Sequence, residues 1–179
     1  MNYKIMIVDD EPANLRTLER LFRQDYQVVT APSGAEALAL LEQHDVALLN
    51  SDQRMPSMTG IELMVKTVAI RPQMVKILLT GYTDVGALID AINSGLVYRY
   101  LTKPWNNDDL RMTVSSALER YEMMKSKHLL EMENQRLTAR LKEISELASE
   151  RVVQEIVVPK KEVSDLAEAP PPEVYELLG

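Results

Sequence analysis

The sequence of 179 residues contains no cysteine. Disulfide bonds and metal sites built from thiolates are therefore excluded. No apolar run approaches the length of a membrane-spanning helix, and the first residues, MNYKIMIVDD, lack the apolar core of a signal peptide. We therefore expect a cytoplasmic protein that does not contact a membrane.

Clusters of basic residues are missing as well. The chain has 20 lysine and arginine residues against 27 acidic ones, which gives a formal net charge of −7. Surfaces that bind nucleic acids need clustered Lys and Arg to neutralise phosphates, so we expect no direct contact with nucleic acid. The apolar fraction of 46%, by contrast, is sufficient for a proper core.

Short apolar segments alternate with segments of helical periodicity five times in the first two thirds of the chain. The predicted strands are 4–8, 26–31, 46–51, 74–80 and 96–102. Such an alternation requires a parallel sheet with helices on both faces. The carboxyl ends of the strands then lie along one edge, where α/β proteins place their ligands and their chemistry.

Local signals predict the ends of the helices between these strands. Pro12 suits the first turn of the first helix, and Ser33 and Asn106 are N-cap residues of the second helix and the last one. Asp84 begins the fourth helix and Gly95 closes it. The first three helices are predicted to end near residues 24, 44 and 70.

Acidic residues stand at two of the predicted strand ends. Asp9 and Asp10 follow the first strand, and Asp52 follows the third. Carboxylates brought together repel one another and need a cation, and Mg²⁺, held by one or two carboxylates, waters and a phosphate, fits best. A carboxylate beside such an ion can act as a nucleophile toward a phosphoryl donor. Thr80 and Lys103, at two further strand ends, would stabilise the charge on the transferred group.

Four motifs, IVDDEP, SDQRMPSMTG, LLTGYTD and YLTKPW, occur in this order at the predicted strand ends. Over residues 3 to 122 they resemble the receiver domain of two-component response regulators. The resemblance implies a flavodoxin-like (βα)5 fold, a doubly wound parallel sheet with strand order 2-1-3-4-5. It also implies a histidine kinase as the partner that donates the phosphoryl group, and no enzymatic activity beyond self-phosphorylation and self-dephosphorylation.

The resemblance assigns the acidic residues of the site. Asp52 would be the phosphoacceptor. Asp10 and Asp52 would ligate Mg²⁺ directly, and Asp9 would act mainly through water. The backbone carbonyl of Arg54 would complete the protein ligands. Taken alone, Asp9 and Asp10 are also interpretable as helix-capping acids.

The resemblance further implies a switch. Thr80 would swing to bind the phosphoryl group, Lys103 would pair with that group, and Tyr100 would be the aromatic residue that turns inward as Thr80 moves. The Lys103–Pro104 peptide bond would be cis, as is usual in such domains. Taken singly, Thr80 and Lys103 are interpretable as surface residues and Tyr100 as a half-buried strand aromatic. Their order and spacing together favour the functional interpretation.

The last predicted helix has no stop signal for about forty residues or more, because glycine and proline are absent from Asn106 through Val158. It carries a heptad seam formed by Leu130, Asn134, Leu137, Leu141, Ile144 and Ala148. Asparagine at an a position fits a parallel two-stranded coiled coil, since a buried Asn–Asn pair fixes register and dimer state. We therefore expect a parallel homodimer. The alternative is an amphipathic helix packed against another domain or against its own receiver domain.

These observations divide the chain into three parts. Residues 1–122 would be the receiver domain and residues 123–156 a helical coiled-coil extension of its last helix. Residues 157–179, which include three consecutive prolines, would be a linker or disordered tail.

Two kinds of output remain open for such a regulator. The chain could be an adaptor that recruits a partner, or the front of a longer regulator whose output domain is missing. SDQRMP, GYTD and YRYLTKPW resemble receivers ahead of cyclic-nucleotide enzymes and hydrogenase-type transcriptional activators. A remote alternative is a Mg²⁺-dependent hydrolase with an aspartyl nucleophile, although such enzymes carry the nucleophile after the first strand.

Overall fold

The computed structural model describes residues 3–81 and 85–156, without the side chains of residues 85–88 and 150–156. The strands are Lys4–Val8 (β1), Gln27–Ala31 (β2), Leu48–Asp52 (β3), Val75–Thr80 (β4) and Arg99–Thr102 (β5). The helices are Pro12–Phe22 (α1), Gly34–Gln43 (α2), Gly60–Ile70 (α3), Val85–Asn93 (α4) and Asn107–Ile156 (α5). The predicted alternation of strand and helix is confirmed.

The five strands form one sheet in the order β2-β1-β3-β4-β5, and every neighbouring pair is parallel. The expected doubly wound, flavodoxin-like topology is therefore correct. Val8 pairs with Ser51, and Thr80 pairs with Thr102. The carboxyl ends of β1, β3, β4 and β5 consequently reach the same edge of the sheet.

Two apolar clusters cover the two faces of the sheet. One contains Met6 and Leu49 with side chains of α2 and α3. The other contains Ile5 and Leu48 with side chains of α1 and α5. Successive residues of one strand point to opposite faces, so a strand buried on both sides is apolar at nearly every position. This explains why the strands were visible in the sequence as continuous apolar runs.

The predicted start of the fifth strand was wrong. The strand begins at Arg99 instead of Leu96. The amide of Val97 donates to the carbonyl of Ala91 at 3.1 Å, so this backbone completes the end of α4 instead of a strand ladder. Gly95, with φ of 73°, makes the turn between them, a backbone conformation that glycine adopts without steric cost.

Smaller boundary differences occur elsewhere. The first helix ends at Phe22 instead of residue 24, since the amides of Asp25 and Tyr26 both donate to the Phe22 carbonyl in a turn. The second and fourth strands each begin one residue later than predicted. The third spans Leu48–Asp52 instead of 46–51, because Asp52 still pairs with Leu79. The predicted helix start at Asp84 lies outside the described residues.

The predicted N-caps at Ser33 and Asn106 are confirmed. Ser33 accepts from the amide of Glu36 at 3.2 Å, and Asn106 accepts from the amides of Asp108 and Asp109. A side-chain acceptor at this position satisfies amides that have no partner within the helix.

By their contacts, the described residues fall into two units, which divide between residues 129 and 130. Helix α5 contributes residues to both units. Among the described helices, none combines the length and the apolar composition that a membrane crossing would require.

Candidate functional site

The site is built around the carboxylate of Asp9, which is buried directly after β1. Its Oδ1 atom accepts from the amide of Glu11 at 2.9 Å, and its Oδ2 atom accepts from Lys103 Nζ at 2.9 Å. Asn14 Nδ2 donates to both oxygens at 3.1 Å. Because only 1% of this residue is exposed, its charge needs these donors to offset the lost hydration.

Asp52 is the last residue of β3 and is 6% exposed. Its Oδ2 atom accepts from the amide of Arg54 at 2.8 Å, and its Oδ1 atom lies 2.5 Å from Lys103 Nζ. The loop after β3 therefore turns back over the carboxylate. The Asp52 carboxylate, the backbone amide of Arg54 and the ammonium group of Lys103 are thus brought together.

Lys103 joins the two carboxylates from the end of β5. Its amide donates to the carbonyl of Thr80 at 2.8 Å, and the Lys103–Pro104 peptide bond that follows is cis. Burial by itself lowers the pKa of Lys103, but hydrogen bonds and charge attraction from Asp52 and Asp9 outweigh that effect. The pKa of this lysine is therefore raised above its usual value. The ammonium group is held in its charged form.

Thr80 and Tyr100, the two residues that the sequence predicts to form the switch, differ from each other in exposure. Thr80 is buried, and its hydroxyl donates to the carbonyl of Gly81 at 2.9 Å. Tyr100, on the neighbouring strand β5, is 43% exposed. Thr80 is the last residue of β4, whereas Tyr100 is the second residue of β5 and pairs with Leu78, two residues before Thr80.

Asp10 is exposed, unlike its neighbour Asp9. Among the described residues, no three side chains of the types Asp, Glu, His or Cys come close enough to hold a metal ion by themselves. The donor set still has the chemistry that Mg²⁺ requires, since this ion commonly uses one or two carboxylates and retains several waters.

Gly60 begins α3 and lies directly against β3. Its amide donates to the carbonyl of Gln53 at 3.1 Å. A side chain at this position would overlap the backbone carbonyl oxygen of Asp52. Glycine is therefore needed for the close approach that lets α3 begin beside the phosphoacceptor candidate.

Sequence reasoning missed two contributors to the site. Asn14 fixes the Asp9 carboxylate, and Gln53 Oε1 accepts from the amide of Ile61 at 3.1 Å. An asparagine in the first turn of a helix that follows an acidic strand end is a detectable signal for the first contact. The hydrogen bond between Gln53 and Ile61 has no such signal in the sequence, because this bond depends on how the loop after β3 folds back.

In the second unit, the described part of α5 presents a row of exposed apolar side chains. Leu130, Leu137, Leu141 and Ile144, all members of the predicted seam, are each about half or more exposed. Asn134 and Ala148 of the same seam are also exposed. Large apolar side chains aligned along one helix and open to solvent are typical of a surface that contacts a partner.

The family model described as the response regulator receiver domain matches residues 5–115. The chain therefore belongs to the response regulator receiver family, as the four motifs indicated.

Two curated relatives are transcriptional regulators. The chain is 36% identical over 129 residues to the hydrogenase transcriptional regulatory protein HoxA of Cupriavidus necator, and the aligned region covers 72% of this chain and 27% of that protein. It is 39% identical over 116 residues to the transcriptional regulatory protein GlrR of Escherichia coli K12, and here the aligned region covers 64% of this chain and 26% of that protein. The chain thus spans about a quarter of the length of these relatives.

Solved structures give the same fold. An adenylate cyclase structure from Rhodopirellula baltica superimposes with a TM-score of 0.71 at 36% identity, covering 73% of this chain and 97% of that chain. The signal receiver domain of an HD domain-containing protein from Pseudomonas fluorescens Pf-5 superimposes with a TM-score of 0.65 at 33% identity, covering 69% and 99%.

Proposed function

We propose that this chain is a response regulator in which Asp52 accepts a phosphoryl group from a histidine kinase. The observation that carries the proposal is the ion-paired arrangement of Asp52, Lys103 and Asp9 at the carboxyl edge of the sheet. A nucleophilic carboxylate, a fixed cation and a second carboxylate are the groups that phosphoryl transfer onto an aspartate needs. The chain would carry out no other catalysis, and we place it in the cytoplasm.

In the proposed transfer, one oxygen of the Asp52 carboxylate forms a bond to the phosphorus atom. The bond from phosphorus to the imidazole nitrogen of the kinase histidine breaks, and that nitrogen keeps the electron pair. Lys103 balances the negative charge of the phosphoryl oxygens, and its raised pKa keeps it charged for this role. The hydroxyl of Thr80 turns from the Gly81 carbonyl toward a phosphoryl oxygen.

Asp10, Asp52 and the backbone carbonyl of Arg54 would hold Mg²⁺ directly, with Asp9 acting mainly through water. When bound, the ion supplies positive charge that offsets the phosphoryl oxygens. Asp9 keeps a separate task, since it holds Lys103 at 2.9 Å and so orients the ammonium toward Asp52.

The switch would follow from the movement of Thr80. When its hydroxyl leaves the Gly81 carbonyl, the half-exposed ring of Tyr100 on the adjacent strand turns inward beside it. Phosphorylation would thereby shift a two-state equilibrium at the face formed by α4, β5 and α5.

We further propose that a second copy of the chain covers the exposed seam of α5. The alternation of four- and three-residue steps, with Asn134 at an a position, favours a parallel two-stranded coiled coil. The receiver domain would span residues 1–122 and the coil residues 123–156. Residues 157–179, interpreted as a linker or tail, lie outside the described part of the chain.

The output is proposed in two forms. Since the chain spans about a quarter of the curated relatives, it would act as the regulatory part of a larger response regulator with a DNA-binding or cyclic-nucleotide output. These two classes are favoured because one relative is named a hydrogenase transcriptional regulatory protein and one similar structure is that of an adenylate cyclase. The other form is an adaptor that recruits a separate partner through the coil.

The deciding experiment is intact-protein mass spectrometry after incubation with a small phosphoryl donor such as acetyl phosphate. With Mg²⁺ present, wild type should gain the mass of one phosphoryl group, and Asp52→Asn should gain none. Chelation of Mg²⁺ should abolish the gain. An equal gain in Asp52→Asn would overturn the assignment of Asp52.

A further inference from the structure

A cavity of about 330 Å³ lies at the amino edge of the sheet, at the opposite end of the strands from Asp52. The segment before β4, the segment before β5 and one stretch of α5 form its walls. Its volume falls at the lower end of the range, about 300–1,000 Å³, that small-molecule sites occupy.

Lys76 is the most unusual residue in this cavity. It is only 5% exposed, and its Nζ atom donates to the carbonyl of Met74 at 3.0 Å. An ammonium group has three donors, and within the described residues no other acceptor for them is present. Burial lowers the pKa of Lys76, as expected for a cation without a carboxylate partner. The group therefore has capacity for an anionic acceptor.

A second cation lines the same cavity from α5. The guanidinium of Arg120 lies over the ring of Tyr98, with its Cζ atom 5.7 Å from the ring centroid. None of the described residues that line the cavity is acidic, although the chain as a whole has a net charge of −7. The cavity is thus a local concentration of positive charge in an acidic protein.

Most of the other residues that line the cavity have apolar side chains. Met74, Ile92 and Leu96 contribute to the walls, and Gln73 adds one amide group. Pockets that combine an apolar wall with a few converging polar groups bind ligands that have both characters. Inorganic phosphate alone would satisfy the cations but would leave this apolar wall without contacts.

We propose that the cavity binds a small organic anion, with a carboxylate or phosphate group between Lys76 and Arg120 and an apolar body against Met74 and Ile92. Such an anion would accept hydrogen bonds from the unused donors of Lys76 and pair with the Arg120 guanidinium. The proposed ligand would contact the segments before β4 and β5 and also α5. This site does not depend on phosphorylation of Asp52.

Titrations followed by backbone amide NMR on the full chain test the proposal, without Mg²⁺ and in the Asp52→Asn variant so that the phosphoacceptor site does not contribute. The probes are benzoate, phenyl phosphate and inorganic phosphate. At least one organic anion should shift the amides of Gln73, Val97 and Tyr98 in a saturable way, and inorganic phosphate should bind more weakly. Phenyl phosphate and benzoate distinguish the two anion classes.

Lys76→Met retains the length and apolar stem of the lysine and removes its charge, so it should fold and should weaken binding about ten-fold or more. Arg120→Gln should weaken binding similarly, and Lys66→Met, at an exposed position of α3, should leave it unchanged. Equal binding by the Asp52→Asn protein with and without Lys76→Met would overturn the proposal, as would the absence of saturable shifts with both organic probes. If inorganic phosphate bound as tightly as the organic anions, the proposed apolar contacts of the ligand with Met74 and Ile92 would be overturned.

Discussion

Lys103 Nζ lies 2.5 Å from Asp52 Oδ1, with 24% and 8% of the two side chains exposed. The cation proposed to balance a transferred phosphoryl group is therefore already held against the proposed acceptor. Because much of the water is excluded, the attraction is stronger than it would be for a surface ion pair. A preorganised charge of this kind does not have to reorganise during the reaction.

The first prediction concerns this cation. Lys103→Met should lower the rate of phosphorylation by acetyl phosphate roughly ten-fold or more, since the charge on the phosphoryl oxygens would lose its fixed partner. Lys103→Arg should retain part of the rate, because its charge is kept although its shape differs. The measurement is the time course of the phosphorylated mass. An unchanged rate in Lys103→Met would exclude the proposed role.

The same ion pair predicts how stability depends on pH. The pKa of Lys103 is raised in the folded protein, so its contribution to stability is fully present below the usual lysine pKa. That contribution is lost as the pH rises through the raised value. The difference in unfolding free energy between wild type and Lys103→Met, measured in urea without Mg²⁺, should therefore shrink at strongly alkaline pH.

Lys76 contributes to the pH dependence with the opposite sign, because its pKa is lowered, and it is present in both proteins of this comparison. Its effect cancels in the difference. Lys66→Met, at an exposed position, serves as the control and should show no comparable trend. A difference that grew with alkaline pH would contradict the raised pKa of Lys103.

The third prediction concerns the close approach of α3 to β3. Gly60→Ala should lower the unfolding free energy by about 1–3 kcal/mol, as overpacking does, because the added methyl group meets the Asp52 backbone. It should also slow phosphorylation, since Asp52 would have to shift. Gly81→Ala is the control for stability, because a side chain there meets no atom of the described residues within 4 Å. Equal stability of the two variants would contradict the tight contact.

The positions of the site residues could be predicted because a parallel sheet aligns its strand ends. Asp52 and Lys103 are distant in sequence, yet once β3 and β5 are identified the topology brings them to one edge. Apolar runs marked the strands and polar residues marked their ends. The structure adds to this outline the contacts between Lys103 and the two carboxylates.

The contacts that support the site were harder to predict. The side-chain amide of Asn14 reaches Asp9 only because α1 lies at a particular angle to the sheet. The packing of Leu18 and Phe22 against the sheet determines this angle. The start of β5 was misplaced for a similar reason, since Val97 is apolar but its amide is used by the end of α4, and the first backbone amide to reach β4 is that of Tyr98. The periodicity of apolar residues predicts which side chains are buried, but it does not predict which backbone groups form hydrogen bonds with each other.

The fourth prediction concerns Asn50, which is 1% exposed in β3 between Ile7 and Ile77. Neither polar atom of its side chain has a partner among the described residues. Because an unsatisfied buried amide costs about 1–3 kcal/mol, Asn50→Val should raise the unfolding free energy by up to that amount. Asn50→Thr, similar in shape to Val but polar, should be less stable than Asn50→Val. A loss of stability in Asn50→Val relative to wild type would contradict this prediction.

The last prediction concerns the seam of α5. Leu137 is a d residue of the predicted heptads and is 49% exposed in the single chain, so dimerisation would bury it against the second copy. Leu137→Asp should therefore convert the dimer into a monomer, measured as mass by light scattering. Ala139→Asp adds the same charge at an outward position of the same turn and should leave the dimer intact.

Light scattering with and without beryllofluoride and Mg²⁺ then separates two mechanisms. A dimer of wild type in both conditions would make the coil a constitutive scaffold whose geometry the phosphorylated receiver changes. Dimerisation only in the activated state, and only with an intact Asp52, would make association itself the response. A monomer under every condition, or equal behaviour of Leu137→Asp and Ala139→Asp, would contradict the coiled coil and leave the exposed seam to a different partner.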